Sequence, residues 1–139
     1  MNWKIVFQLS IFGLIMAFAT VSLIPEKIEP AFWLLIFIFC AIVIAKVCPG
    51  KYFLNGFMVS VINSVWITAV HIAFRNTYVA NHPQMASMGA NMPPALSIHP
   101  RLAMAVMGLI FGAMFGIVLG LFSFMASFII KKDVTKSEA

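Results

Sequence analysis

The stretch GLIFGAMFGIVLG, residues 108–120, places a glycine at every fourth position of an otherwise apolar run. In a helix in water, each glycine costs about 1 kcal/mol relative to alanine. Within a bilayer there is little hydrophobic force between helices, and glycine lets a second backbone approach closely. The stretch therefore predicts a membrane helix with a packing groove along one side. The glycines of this groove, here called the glycine row, are Gly108, Gly112, Gly116 and Gly120.

The composition agrees with a membrane location. Of the 139 residues, 63% are hydrophobic and 9% are charged, and the mean hydropathy is +1.03. A soluble domain cannot hide that much apolar surface, so the composition indicates an integral membrane protein. No linker, charge block or repeat divides the chain, and we expect one membrane domain over residues 1–139.

Four apolar stretches are long enough to cross a bilayer, which takes about 20 residues. They cover residues 3–24, 31–47, 52–74 and 102–130, and the third can continue as helix to residue 81. Residues 82–100 form the connection between the last two. Prolines at or next to these boundaries are typical of helix starts and stops. The sequence therefore predicts an all-α protein, a four-helix bundle of transmembrane helices.

Cationic residues near the ends of the stretches predict the orientation. Six lie on the side that holds both termini and three on the other side, so the termini are expected in the cytoplasm. The six are Lys4, Lys46, Lys51, Lys131, Lys132 and Lys136, and the three are Lys27, Arg75 and Arg101. In layout the chain resembles small bacterial membrane proteins, which implies the inner membrane and no particular activity.

A cleaved signal peptide is the alternative for the first stretch. MNWK precedes an apolar run, and Ala17–Ala19 has the Ala-x-Ala form of a cleavage site. The run continues to Ile24, and Gln8 and Ser10 interrupt it, which favours a retained helix.

A second face of small residues lies on the first helix and consists of Ser10, Gly13, Ala17 and Thr20. We expect this face to pack against the glycine row, because the first and last helices of a closed bundle are neighbours. Homodimerisation through the glycine row is the alternative. Leucine at Gly112 or Gly116 should disrupt either contact, whereas Leu119→Ile should be tolerated.

The third helix carries a polar arc that spans about 140° of its circumference at ~100° per residue. It consists of Ser60, Asn63, Ser64, Thr68, His71, Arg75 and Tyr78. Polar groups within a bilayer face protein or water. The arc is interpreted first as hydrogen-bonding contacts between helices, and alternatively as a polar cavity open to the outer side. Arg75 lies near the interface, where a guanidinium can reach water or a lipid phosphate.

The connection at 82–100 contains thioethers and imidazoles, which suit soft metals such as Cu(I). The candidate ligands are His82, Met85, Met88, Met92 and His99. The same pattern is typical of a methionine stripe at a membrane interface. In a chain with ten methionines it arises by chance, and we expect no metal.

The sequence predicts no enzyme and no cofactor. Its four acidic residues are expected in turns or in the tail, away from His71, and no nucleotide, dinucleotide or zinc motif is present. Cys40 and Cys48 would lie about 12 Å apart on one helix, too far for a disulfide. The expected partners are the lipid bilayer and a second copy or a larger membrane complex, not nucleic acid. Two functions remain: a structural or accessory membrane protein, or a small transporter or channel.

Overall fold

The computed structural model describes residues 1–137, which form seven helices and no strand. The helices are α1 Trp3–Ser22, α2 Glu29–Val47, α3 Tyr52–Ala73, α4 Arg75–Asn81, α5 Pro83–Ala90, α6 Pro94–Ser97 and α7 Pro100–Ser137. Four segments are long and apolar enough to cross a membrane: α1, α2, α3 and Pro100–Ile130 of α7. The predicted all-α, four-span architecture is confirmed.

The helix boundaries differ from the predicted ones where the chain turns. α1 ends at Ser22, and α2 begins earlier than expected, at Glu29. The third helix, predicted over 52–74, ends at Ala73. The possible continuation to 81 is helical, but it is separated from α3 at Phe74, whose φ of −105° and ψ of 30° are not helical. The connection predicted over 82–100 contains the short helices α5 and α6, each of which begins at a proline.

The spans are arranged around α3 and α7. α1 packs mainly on α3, α3 packs on α7, and α7 packs on α2. α1 and α3 run parallel, since Asn2 meets Asn55 at one end and Thr20 meets His71 at the other. We call the end with residues 74–99 the loop end and the opposite end the terminal end.

The expected pairing of the glycine row with the small-residue face of α1 is wrong. Atoms added at Gly108, Gly112, Gly116 and Gly120 would meet side chains of α3, and one added at Gly13 of α1 would also meet α3. Both small-residue faces therefore pack on opposite flanks of the same helix. The sequence does not show which helix each small-residue face contacts, because any two such faces can pack closely together.

All four spans contribute to one apolar core at the terminal half of the bundle. Val6, Phe37, Ile44, Val59 and Leu119 are among its buried members. Leu119 is fully buried and belongs to this core, and the tolerance expected for Leu119→Ile stays a prediction. Large apolar side chains also cover the outside of the spans, as expected of a surface that lipid covers.

Candidate functional site

The polar arc of α3 is divided between its two neighbours. Ser60, Asn63, Ser64 and His71 are all at least 92% buried, and Thr68 is partly buried. By their contacts, Ser60, Ser64 and Thr68 lie against α7. Asn63 and His71 instead contact Gly13 and Thr20 of α1. The arc therefore forms two contact surfaces, described next as the glycine seam and the polar seam.

The glycine seam joins α3 to α7 in antiparallel register. A Cβ atom at Gly108 would overlap Thr68 Oγ1, and one at Gly112 would overlap Ser64 Oγ. A Cβ atom at Gly120 would lie 2.9 Å from the backbone oxygen of Phe53. The absence of side chains in the glycine row is therefore required by the neighbouring helix.

Gly56 of α3 is the closest point of the glycine seam. A Cβ atom there would lie 2.7 Å from the carbonyl oxygen of Leu119 and 3.0 Å from Cα of Gly120. Backbone atoms cannot rotate away as a side chain can, so this contact fixes the separation of the two helices. Nearby, the Ser60 hydroxyl donates to the Gly112 carbonyl oxygen over 3.3 Å.

The polar seam joins α1 to α3 by hydrogen bonds. The Asn2 backbone N–H donates to Asn55 Oδ1 over 2.9 Å, and the Gly13 N–H donates to Asn63 Oδ1 over 3.2 Å. The Trp66 indole N–H reaches the Ser10 hydroxyl over 3.4 Å, a long contact. Contacts recur along the whole length of α1, so this seam sets the register of the parallel pair.

Asn63 is the least satisfied member of the polar seam. It is 3% exposed, and its amide Nδ2 has no hydrogen-bond partner among the described residues. A buried donor without an acceptor costs roughly 1–3 kcal/mol. The hydrogen bond that Oδ1 accepts from Gly13 is therefore offset by the unpaired amino group on the same side chain.

At the loop end the polar seam continues into a stack of aromatic rings. The Thr20 hydroxyl lies 2.9 Å from His71 Nε2. The ring of His71 stacks on Tyr78 with centroids 3.8 Å apart, and Tyr78 stacks on His82 at 4.2 Å. The break at Phe74 brings Tyr78 back over His71, so that three polar rings lie in contact under the connection.

The stack reaches a carboxylate that the sequence placed elsewhere. Glu29 was expected in a turn away from His71, but it is the first residue of α2. Its Oε2 lies 3.6 Å from His82 Nε2, and its Oε1 accepts a hydrogen bond from Trp33 Nε1 over 3.1 Å. Pro30 follows Glu29, and proline in the first turn of a helix was the available signal that α2 begins here.

We call the group formed by His71, Tyr78, His82 and Glu29 the loop-end cluster. Its burial and nearby carboxylates both act on the pKa of Tyr78. Burial raises the pKa of the Tyr78 phenol, and the nearby carboxylates of Glu29 and Glu26 raise it further. Tyr78 is therefore neutral near pH 7. It is a possible hydrogen-bond donor, not a base.

The cysteines offer no activated nucleophile. Cys40 and Cys48 are free and buried. Burial raises the pKa of the Cys48 thiol, and the ammonium group of the chain N-terminus lowers it by a smaller amount. A thiol with a raised pKa carries little thiolate at neutral pH, so Cys48 has the properties of a packing residue.

The residues considered for metal binding point in different directions. His82 is 1% exposed and lies on the ring stack, while Met85, Met88 and His99 are exposed and Met92 is partly exposed. Within the described part of the chain, no group of three or more His, Cys, Asp or Glu residues could hold a metal ion.

Arg75 and Tyr78 were predicted on the same arc, but the break at Phe74 separates their surroundings. Tyr78 is buried in the ring stack, whereas Arg75 lines a groove to which Tyr78 does not contribute.

Comparison with known proteins found no match to this chain among family models, curated proteins or solved structures.

Proposed function

We propose that this small multi-pass membrane protein has a structural or accessory role and acts by contact with itself or a larger membrane complex. The observation that carries this proposal is the burial of the α3 polar arc between α1 and α7. Asn63 and Ser64 lie near the middle of the span, where a transport site would be expected. Gly13 covers the first and Gly112 covers the second.

The glycine-zipper packing belongs, on this proposal, to the interior of the chain. The glycine row is occupied by α3 and does not serve as a contact for a second protein. A partner within the membrane would instead meet large apolar side chains on the outside of α2 and α7. Leu35, Met114, Leu121 and Phe128 are examples, and each is between 47% and 66% exposed.

The loop-end cluster favours the second candidate function, a small-solute or ion transporter. Its titratable rings are in continuous contact and end at a carboxylate, an arrangement that can hold and pass protons. Below His71, however, the arc continues into side chains that are packed against the neighbouring helices. The accessory role therefore accounts for more of the arc than transport does.

Cysteine accessibility distinguishes the two functions. Single cysteines at Thr68 and His71 would be introduced after Cys40→Ala and Cys48→Ala remove the background. A membrane-impermeant thiol reagent is expected to leave both positions unlabelled, because they face packed helices. Labelling of both would refute the packed arc and favour a water-filled path.

Two glycines provide matched positive controls. A Cβ atom at Gly50 or Gly89 meets nothing within 4 Å, so Gly50→Cys and Gly89→Cys should be reactive without disturbing the fold. In sealed right-side-out vesicles only Gly89→Cys should be labelled, because we propose that both termini lie in the cytoplasm. Labelling of Gly50→Cys alone would reverse this orientation.

Native mass spectrometry after extraction in a mild detergent tests the accessory role directly. The spectrum reports the copy number of the chain and any subunit that leaves the membrane with it. A stoichiometric assembly is expected. A lone monomer at every detergent concentration, together with labelling at Thr68, would contradict the proposal.

A further inference from the structure

A groove of about 700 Å³ opens at the loop end, between the break in α3 and the start of α7. It is lined by residues 72–77 on one side and residues 98–102 on the other. Neither the two seams nor the loop-end cluster uses this groove.

The charged side chains that line the groove are both cationic. Arg75 and Arg101 both line it, and neither guanidinium group forms an ion pair or hydrogen bond with another described residue. The lining contains no carboxylate. Glu26 and Glu29, the acidic residues near this end, are not part of the lining, and Glu29 is engaged by Trp33 and His82. Two guanidinium groups on one groove without a counter-charge are complementary to an anion.

Besides the arginines, the lining contains the polar residues Asn76, Thr77 and His99, and its other residues are apolar. Ile72 belongs to the last turn of α3 and Leu102 to the first turn of α7, so the groove lies where two spans meet the interface. Phe74, Ile98 and Leu102 are 47%, 70% and 59% exposed. A soluble anion would leave this apolar surface uncovered, whereas a lipid would cover it with its glycerol and acyl groups.

We infer that this groove binds the headgroup of an anionic phospholipid, with its phosphate between Arg75 and Arg101. The acyl chains descend along the apolar surface that Leu102 begins. A cation near a membrane surface contributes about fivefold in affinity for anionic lipid, so the two arginines together contribute about 25-fold.

Native mass spectrometry of the full chain tests this site with defined lipids. The protein in nonionic detergent receives equal amounts of phosphatidylglycerol and phosphatidylcholine, and the retained adducts are counted. The native chain should retain phosphatidylglycerol with a preference of up to about 25-fold, because only this lipid carries a net negative charge. The double variant Arg75→Gln, Arg101→Gln should lose that preference, and an unchanged preference would overturn the inference.

Two further variants control for charge and folding. Lys4→Gln with Lys27→Gln removes the same charge from exposed positions outside the groove and should leave the preference intact. Arg75→Lys with Arg101→Lys keeps the charge and should retain most of it. Loss of the preference in the Lys4, Lys27 variant would show that net charge, not the groove, selects the lipid.

Inorganic phosphate tests whether the ligand of the groove is a soluble anion instead of a lipid. Added alone, without phospholipid, it should not raise the melting temperature measurably at millimolar concentration. A rise that the Arg75→Gln, Arg101→Gln variant abolishes would identify a soluble anion as the ligand and overturn the assignment to lipid.

Discussion

The two seams of α3 hold the same helix by different physical means. On the α7 side the helices touch through glycine, and Gly56 brings backbone against backbone. On the α1 side the helices are linked by hydrogen bonds, such as that between Gly13 and Asn63. One seam is defined by the absence of atoms and the other by the presence of polar ones.

This difference determines what each seam tolerates. Atoms added to the glycine seam must displace the neighbouring helix, and overpacking typically costs about 1–3 kcal/mol. A hydrogen bond removed from the polar seam costs less, since such bonds between membrane helices average about 0.6 kcal/mol. The glycine seam should therefore fail under substitutions of a size that the polar seam accepts at its hydrogen-bonding positions. Gly13 is the exception on the α1 side, because a Cβ atom there would lie 2.8 Å from Cα of Asn63.

The largest effect is expected for Gly56→Leu. Its side chain would meet the Leu119 carbonyl oxygen and the Gly120 Cα, which cannot rotate away. We expect a loss of about 3 kcal/mol or more, measured as a lower melting temperature in detergent. Gly89→Leu is the matched control, because nothing lies within 4 Å of its Cβ position. Equal melting temperatures of Gly56→Leu and Gly89→Leu would show that the close contact at Gly56 does not limit substitution. The distinction drawn between the two seams would then be wrong.

A smaller effect is expected for Gly112→Ala, and it should be reversible. The new methyl group would overlap Ser64, but the nearest backbone atom, Cα of Val61, is 3.8 Å away. We expect a loss of about 1–3 kcal/mol, of which Ser64→Gly restores at least half in the double variant. At Gly56 the nearest atom to a Cβ is Ser123 Oγ, at 2.5 Å, but the Leu119 carbonyl oxygen lies at 2.7 Å and would remain. Ser123→Ala should therefore restore less than half of the loss caused by Gly56→Ala. Rescue of both or of neither would contradict this assignment.

Asn63→Leu should have a smaller effect again. Leucine loses the bond from the Gly13 N–H but also removes the unpaired amide Nδ2. We expect a loss of about 0.6 kcal/mol in chemical unfolding of the detergent-solubilised protein. A loss above that of Gly112→Ala would reverse the order of the two seams.

The smallest effect concerns pH and the end of the polar seam. Because the pKa of Tyr78 is raised in the fold, the unfolded chain loses the phenolic proton first as pH rises. The contribution of this group is fully present below about pH 10 and declines above it. Tyr78→Phe should make the decline smaller, followed as melting temperature against pH, because lysine and tyrosine side chains elsewhere in a chain also titrate in this range. A phenolate absorbance that rises below pH 10 and disappears in Tyr78→Phe would show that the ring is solvated.

Periodicity in the sequence was sufficient for the four spans, the glycine row and the polar arc. It could not choose partners, because the face containing Gly13 and the face containing Gly112 offer the same close approach. The break at Phe74 carries no proline or glycine, so no local signal marks it. The contact between His82 and Glu29 depends on that break. This contact therefore could not be predicted from the sequence.

The pairing of non-consecutive spans bears on how the chain is completed during its synthesis. α1 has few contacts with α2 and packs mainly on α3, which is synthesised later. α2 packs mainly on α7, the last helix. When only the first two spans have been inserted during synthesis, they therefore do not form a stable pair. α1 can pair when α3 enters, but α2 and the second side of α3 are covered only when the last helix enters. Until then the unpaired spans are open to insertases and membrane proteases, which makes the arrival of α7 the step that separates retained chains from degraded ones.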